Sequence, residues 1–211
     1  MQVYILKESN SDSRVAASPD TVKKMKDWGL NVVIQDNAGL NSNFSNEEYI
    51  KSGASISNEI TDISKSDLIL KINKPNEDEI ALMNEGSVLI ASLDPYNNSD
   101  TLNKLKDKGV TSFAMELMPR ITRAQSMDIL SSQSNLAGYK AVIDATYLFN
   151  KAMPMMMTAA GTIAPAKVMV FGAGVAGLQA IATAKRLGAI VSATDVRMAA
   201  KEQVESLGGK F

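Results

Sequence analysis

The segment from residue 167 to residue 195 constrains the fold of this chain more than any other. It reads KVMVFGAGVAGLQAIATAKRLGAIVSATD, in which Gly172, Gly174 and Gly177 separate an apolar run from a pattern of helical periodicity. Short apolar runs suit strands that are buried on both faces of a parallel sheet and connected by a crossover helix. We therefore predict a strand, a helix and a second strand, at 168–171, 175–187 and 189–194.

The glycine turn has the spacing of a dinucleotide-binding loop. Its glycines let the backbone approach a pyrophosphate, whose charge is favoured at a helix N-terminus. Asp195 follows Gly174 by 21 residues, close to the spacing of ~20 expected of a carboxylate that binds the adenosine ribose. That carboxylate would repel a 2′-phosphate, so NAD is favoured over NADP, although Arg197 would soften this preference. The alternative is a turn whose glycines serve only packing.

The candidate cofactor-binding residues of this segment include the glycines, the residues between them and the residues after the second strand. They are Gly172, Gly174, Val175, Ala176, Gly177, Asp195, Val196 and Arg197.

Composition excludes several classes of site. The 211 residues include no cysteine and no histidine, which removes disulfides, thiolate ligands, the Ser-His-Asp arrangement and the usual zinc ligands. We predict no metal site. The net charge is −1, which argues against nucleic-acid binding. The longest uncharged run, 168–184, is shorter than the ~20 residues that span a bilayer, so we predict no membrane insertion by this segment.

The first 115 residues alternate apolar runs with amphipathic segments, which predicts a doubly wound, mostly parallel α/β sheet. The predicted strands are 3–6, 31–35, 68–72, 87–91 and 111–115, and the predicted helices are 19–28, 46–52, 76–83 and 99–108. We expect an N-terminal α/β domain at 1–132, a bridging helix and Met/Pro link at 133–166, and the start of an NAD-binding domain at 167–211. One βαβ unit does not complete such a domain, so we expect two Rossmann-like domains with the second truncated.

Three longer stretches carry a resemblance. They are MELMPRITRAQSMDILSSQSNLAGY at 115–139, MPMMMTAAGT at 153–162 and GAGVAGLQAIATAKRLGAIVSATDVR at 172–197. With KESNSDSRVAASPDTVKK at 7–24 they resemble the NAD(H)-binding domain I of the α subunit of bacterial proton-translocating NAD(P) transhydrogenases. The same family includes the alanine dehydrogenases. The likeness extends over effectively the whole chain, but Met198 stands where the family usually has proline.

The resemblance implies an activity and partners. Domain I of that family binds NADH and presents it to NADP(H) on a partner domain, with hydride passing directly between the two nucleotides. The partners would be a second copy in a homodimer, the membrane domain and the NADP-binding subunit. The location would be cytoplasmic, at the cytoplasmic face of the bacterial inner membrane. We expect residues 1–211 alone to be inactive.

The resemblance also implies a loop that holds the nicotinamide. By that match Arg120, Asp128 and Ser131 would hold the carboxamide, and Gln125 would bond its ribose and reach toward the partner nucleotide. A primary amide needs a donor and an acceptor to fix its rotation, and this set supplies both. Arg120, Gln125 and Asp128 are therefore the catalytic candidates. The alternative is a surface loop of solvated polar residues.

An alanine-dehydrogenase-like activity is the rival prediction, with a non-catalytic fragment as the third. Arg14 matches the arginine that binds the substrate carboxylate in alanine dehydrogenases, and Lys71 lies in the related LILKINKP segment. Asn73 and Asp94, however, take the places of the substrate-binding lysine and histidine. An anionic substrate would meet a repulsion of about 4 kcal/mol from a carboxylate at ~4 Å, at an effective dielectric constant of 20. We therefore expect Arg14 to form a structural ion pair or to serve the cofactor.

The methionines at 153 and 155–157 leave two alternatives open. They form a flexible contact surface, since thioethers adapt to changing partners, or they pack the link between the domains. We favour the packing role.

Overall fold

A computed structural model describes residues 1–9 and 11–211 as two compact units, Met1–Met127 and Asp128–Phe211. The first unit contains a six-stranded, all-parallel sheet. Its strands are β1 (Gln2–Ile5), β2 (Asn31–Gln35), β3 (Ser55–Ser57), β4 (Leu68–Leu70), β5 (Val88–Ala91) and β6 (Thr111–Ala114). Their order in the sheet is β3-β2-β1-β4-β5-β6, so the strand order reverses between β1 and β4.

Side-chain alternation along β1 explains why this sheet is covered on both faces. Tyr4 and Leu6 enter one hydrophobic cluster, whereas Val3 and Ile5 enter another, and all four are fully buried. Successive strand residues point to opposite faces, so the two clusters are the two layers of core that flank a parallel sheet. The predicted α/β class with a mostly parallel sheet is confirmed.

Four helices accompany this sheet, α1 (Pro19–Asp27), α2 (Asn46–Lys51), α3 (Glu77–Leu82) and α4 (Ser99–Asp107). Three begin at side-chain caps, which satisfy backbone N–H groups that lack a partner within the helix. Ser18 accepts a hydrogen bond from the N–H of Thr21 ahead of α1. Full capping boxes, from Ser45 with Glu48 and from Asn76 with Glu79, start α2 and α3. Local sequence therefore fixes where these helices begin.

The second unit is built on a βαβ segment. Its elements are α5 (Ile129–Leu148), β7 (Met156–Thr158), β8 (Gly161–Ile163), β9 (Lys167–Phe171), α6 (Val175–Arg186), β10 (Ile190–Thr194) and α7 (Ala200–Ser206). Strands β9 and β10 pair in parallel with Val168 opposite Val191. A further parallel bridge joins Ser192 to Lys210. The predicted strand–helix–strand order is thus present within one residue of its predicted bounds.

Three local predictions were wrong. Helix α5 begins at Ile129 rather than at 133, because the Asp128 side chain caps it. The predicted link at 152–166 contains an antiparallel hairpin of β7 and β8. Strand β3 was not predicted, since its sequence SIS has only one apolar residue and its pairing with β2 decides its conformation.

Other features concern the predicted domains and membrane insertion. The division at residue 132 and the separate bridge remain predictions, while the structure assigns α5 to the second unit. Throughout the described part of the chain, no helix is both long enough and apolar enough to cross a bilayer.

Candidate functional site

The glycine turn between β9 and α6 is shaped by two residues that cannot carry a side chain. Gly172 has a φ of +94°, a conformation that L residues rarely adopt. A Cβ atom on Gly177 would lie 1.8 Å from the carbonyl oxygen of Gly172. The turn therefore depends on close contact between the first turn of α6 and the end of β9.

Gly174 has a different environment. It is the N-cap of α6, and a Cβ atom built on it meets nothing within 4 Å. Among the described residues, no side chain caps α6, so the N–H groups of its first turn lack a side-chain acceptor. The helix dipole adds partial positive charge at this end. The turn thus offers backbone donors beside open space, an arrangement suited to a phosphate group.

Asp195 is bonded to this turn from the end of the neighbouring strand. Its Oδ2 accepts a hydrogen bond of 2.7 Å from the backbone N–H of Ala173. Its Oδ1 accepts bonds from the backbone N–H of Arg197 at 2.8 Å and from the Arg197 Nε at 3.0 Å. The Arg197 guanidinium, then the N–H groups of Arg197 and Ala173, hold the pKa of Asp195 well below its usual range. The carboxylate therefore stays ionised and points to the loop.

The other predicted residues of this segment surround the loop. Val175 and Ala176 open α6, and Val196 between Asp195 and Arg197 is fully exposed. The structure thus gathers the predicted glycines, Asp195 and Arg197 at the carboxyl ends of β9 and β10. This is the edge at which parallel α/β sheets bind ligands.

A residue that sequence reasoning missed supports the loop from α5. A Cβ atom on Gly138 would lie 2.1 Å from the carbonyl oxygen of Ala176, so α5 and α6 approach closely at this point. Asn135 donates from Nδ2 to Oε1 of Gln179 at 3.3 Å along the same interface. The available signal was a glycine inside a helical pattern, which costs about 1 kcal/mol relative to alanine and so usually has a packing reason.

The predicted nicotinamide residues lie on both sides of the unit boundary. Arg120 and Gln125 are exposed residues of the first unit. Asp128 and Ser131 start the second unit, where Oδ1 of Asp128 accepts from the Ser131 N–H at 2.9 Å and Oδ2 from the Ser131 hydroxyl at 2.7 Å. The structure therefore brings Asp128 and Ser131 together as a helix cap. The roles of all four toward a nicotinamide stay predictions.

A polar cluster occupies the position in the first unit where the strand order reverses. The buried Glu8 carboxylate accepts from the N–H of Ile72 at 2.6 Å and from Nδ2 of Asn73 at 3.0 Å. Asp12 accepts from Nδ2 of Asn73 at 2.7 Å and pairs with Nη2 of Arg14 at 2.7 Å. The Arg14 guanidinium holds the pKa of Asp12 well below its usual range. The structural ion pair that we expected for Arg14 is present.

Lys71 and Asp94 also have local partners. Lys71 donates to both carboxylate oxygens of Glu79, at 2.5 and 2.6 Å, and both side chains are buried. The Asp94 carboxylate accepts from Nδ2 of Asn97 at 3.0 and 3.1 Å. Lys71 is therefore committed to a buried ion pair.

The methionines divide between the two alternatives that the sequence left open. Met153 is buried in the core of the second unit, as packing requires. Met155, Met156 and Met157 are exposed on or beside the hairpin, and Met157 is 82% exposed.

Comparison with known proteins places both units in one family. Residues 4–137 match the alanine dehydrogenase/PNT N-terminal domain, and residues 141–211 match the C-terminal domain of the same name. The chain belongs to the alanine dehydrogenase/PNT family. The resemblance predicted from the quoted stretches is therefore confirmed.

Individual members of the family differ in their similarity to this chain. The first of the separate chains that form the NAD(P) transhydrogenase alpha subunit of Rhodospirillum rubrum is 53% identical over 100% of this chain and 57% of its own length. A crystal structure of transhydrogenase from Sinorhizobium meliloti has a TM-score of 0.97 at 57% identity, covering 100% of this chain and 64% of that one. An L-alanine dehydrogenase structure is more distant, with a TM-score of 0.85 at 25% identity, covering 98% of this chain and 58% of that one. This chain thus spans less than two thirds of each of these relatives.

Proposed function

We propose that this chain is the NAD(H)-binding part of an NAD(P) transhydrogenase. The observation that carries the proposal is the Asp195 carboxylate, held on the N–H of Ala173 inside a glycine turn that leads into α6. The relatives with the transhydrogenase name support it, because they are more similar to this chain than the alanine dehydrogenase is. When bound, NADH would supply the hydride that NADP⁺ on a partner domain accepts.

The residues of the turn fit the adenosine half of this cofactor. Gly174 leaves open space beside the N–H groups of α6, where the pyrophosphate would be bound. The ionised Asp195 would accept hydrogen bonds from the ribose hydroxyls, and its charge would disfavour a 2′-phosphate. Val196 and Arg197 would flank the ribose.

The nicotinamide half would be held by Arg120, Gln125, Asp128 and Ser131. Asp128 and Ser131 offer a carboxylate and a hydroxyl at one position, which can accept from and donate to a carboxamide. Hydride transfer between two nicotinamides needs orientation and exclusion of water more than it needs an acid or a base. A chain with no histidine is compatible with that requirement.

The proposed assembly follows from the proposed transhydrogenase function. Its partners would be the NADP(H)-binding subunit, the membrane domain and a second copy of this chain. The whole would lie at the cytoplasmic face of the bacterial inner membrane. The exposed hairpin methionines, Met155, Met156 and Met157, support a further contact surface, since flexible thioethers adapt well to a partner. Sedimentation of the full-length protein tests the dimer.

Replacement of Gly174 by alanine tests nucleotide binding with little effect on folding. The backbone of Gly174 is extended and the added methyl group meets no protein atom, so the melting temperature should stay unchanged. The methyl group would occupy the approach of the pyrophosphate, so NADH affinity should fall at least about tenfold, or 1.4 kcal/mol. Titration of NADH fluorescence with full-length protein measures this. Unchanged NADH affinity, or no binding by the parent protein, would contradict the proposal in favour of a non-catalytic role.

The polar cluster at the strand reversal argues against alanine dehydrogenase activity. Arg14 is paired with Asp12, and Asn73 bonds Glu8 and Asp12, so a substrate carboxylate would meet acidic oxygens. We expect NADH-driven reduction of an NADP⁺ analogue only with an NADP-binding partner present. Alanine-dependent reduction of NAD⁺ by the full-length protein would instead favour the dehydrogenase.

A further inference from the structure

Arg197 makes more contacts with the ribose-binding position than a neighbouring surface arginine would. Its Nε bonds Oδ1 of Asp195 and its Nη2 bonds Oδ2, both at 3.0 Å, so the guanidinium binds both carboxylate oxygens. Nη2 also donates to the carbonyl oxygen of Ala173 at 3.4 Å. The Arg197 side chain remains 63% exposed, whereas that of Asp195 is 6% exposed. The cation therefore covers the acid on its solvent side.

This geometry places two donors around one carboxylate. The N–H of Ala173 approaches Oδ2 from the loop, and the guanidinium approaches both oxygens from solvent. A phosphate monoester offers oxygen acceptors of the same kind and favours bidentate arginine contacts. While Asp195 is charged, both donors are satisfied and the local charges cancel. Without that charge, a cation and a backbone donor would face the position of the ribose 2′ substituent.

We propose that Arg197 is a specificity-determining residue and a latent ligand for a 2′-phosphate, held by Asp195 in the form that selects NAD(H). Discrimination then depends on the ion pair rather than on the acid alone. Asp195 both repels the 2′-phosphate and withdraws the guanidinium that would bind it. The inference rests on the proposed dinucleotide site and names what selects between its two possible ligands.

Three variants of the full-length protein test the inference. Asp195→Asn keeps the size of the side chain and an acceptor for Ala173 but removes the charge. Arg197→Met removes the guanidinium from an exposed position, and the double variant removes both. A matched control, Lys201→Met with Glu205→Gln, removes the same two charges from an exposed pair on α7, whose atoms lie 3.9 Å apart.

The affinities of NADPH and NADH are measured by fluorescence titration for each variant. Asp195→Asn should bind NADPH about tenfold more tightly than the parent protein, because a charge-assisted contact is worth about 1.5–3 kcal/mol. The double variant should lose that gain, and the gain should shrink in high salt. Arg197→Met alone and the α7 control should show no gain. Melting curves identify any variant that fails to fold.

Two outcomes would overturn the inference in distinguishable ways. If NADH binds but Asp195→Asn and the double variant have equal NADPH affinity, Arg197 is not a phosphate ligand and only this inference fails. If the folded parent protein binds no NADH, the proposed function fails and the inference fails with it.

Discussion

Gly138 of α5 stands against the carbonyl oxygen of Ala176 at the start of α6, where a Cβ atom would come within 2.1 Å of that oxygen. The glycine therefore sets how closely α5 approaches the dinucleotide turn. Small residues at helix crossings permit such approach, and here the contact falls on the turn that a nucleotide would use.

Gly138→Ala should destabilise the protein although alanine is the better helix former. The propensity gain is about 1 kcal/mol, whereas overpacking costs about 1–3 kcal/mol, and a backbone oxygen cannot rotate away as a side chain can. We expect a net loss of about 1–2 kcal/mol in the free energy of unfolding, with weaker NADH binding. Urea denaturation measures the loss. Ala137→Ser on the exposed face of α5 is the control, and an equal loss there would contradict the packing argument.

Gly177→Ala should behave differently from the neighbouring Gly174→Ala. The Cβ atom at 177 would lie 1.8 Å from the Gly172 carbonyl oxygen, so the helix must move away from β9. We expect a loss of about 3 kcal/mol in the free energy of unfolding. Comparison of the two melting temperatures checks this prediction. Equal melting temperatures would show that the turn tolerates a side chain at both positions.

The Lys71–Glu79 ion pair should be costly to break from one side. Both side chains are buried, and Glu79 also accepts the N–H of Asn76 at 2.8 Å to cap α3. Lys71→Met leaves a buried carboxylate without its cation and should cost about 3–5 kcal/mol. Adding Glu79→Gln removes the unpaired charge and keeps a cap acceptor, so the double variant should recover part of that loss. Chemical denaturation of the two variants decides, and a double variant less stable than Lys71→Met would contradict the explanation.

Tyr49 should make the stability fall at alkaline pH. Its side chain is fully buried and its hydroxyl donates to the Ala17 carbonyl oxygen at 2.8 Å. Burial raises the pKa of Tyr49 to about 12, from about 10 in an unfolded chain. The unfolded state therefore loses this proton first, so the stabilising contribution is complete below pH ~10 and is lost as the pH rises toward the folded pKa. Burial raises the pKa of Tyr4 in the same direction.

Tyr49→Phe should flatten part of this alkaline dependence. At neutral pH the variant should be less stable by about 1–3 kcal/mol, because the Ala17 carbonyl group loses its partner. Denaturation at a series of pH values, with tyrosinate absorbance as the marker of ionisation, measures both effects. Tyr96→Phe, at a side chain that is 86% exposed, is the matched control. An unchanged alkaline slope in Tyr49→Phe would contradict the assignment.

Much of the fold could be predicted because its signals are local. Apolar runs such as that of β9 reflect burial on both faces of a sheet, and the periodicity of α6 reflects burial on one helix face. The turn at Gly172 could be identified for the same reason, since its glycines satisfy backbone requirements within six residues. Strand β3 and the hairpin of β7 and β8 could not, because pairing with a neighbour decides their conformation.

The sequence by itself determined the α/β class, the glycine turn and the acid that follows the second strand. Only the tertiary structure decided what these residues contact. It bonds Asp195 to Ala173, 22 residues earlier, and Asn73 to Asp12, 61 residues earlier. It also brings Gly138 onto Ala176. Local patterns record each residue's preference for burial or for a backbone conformation, whereas contacts between distant residues depend on how strands and helices pack, which no short stretch of sequence encodes.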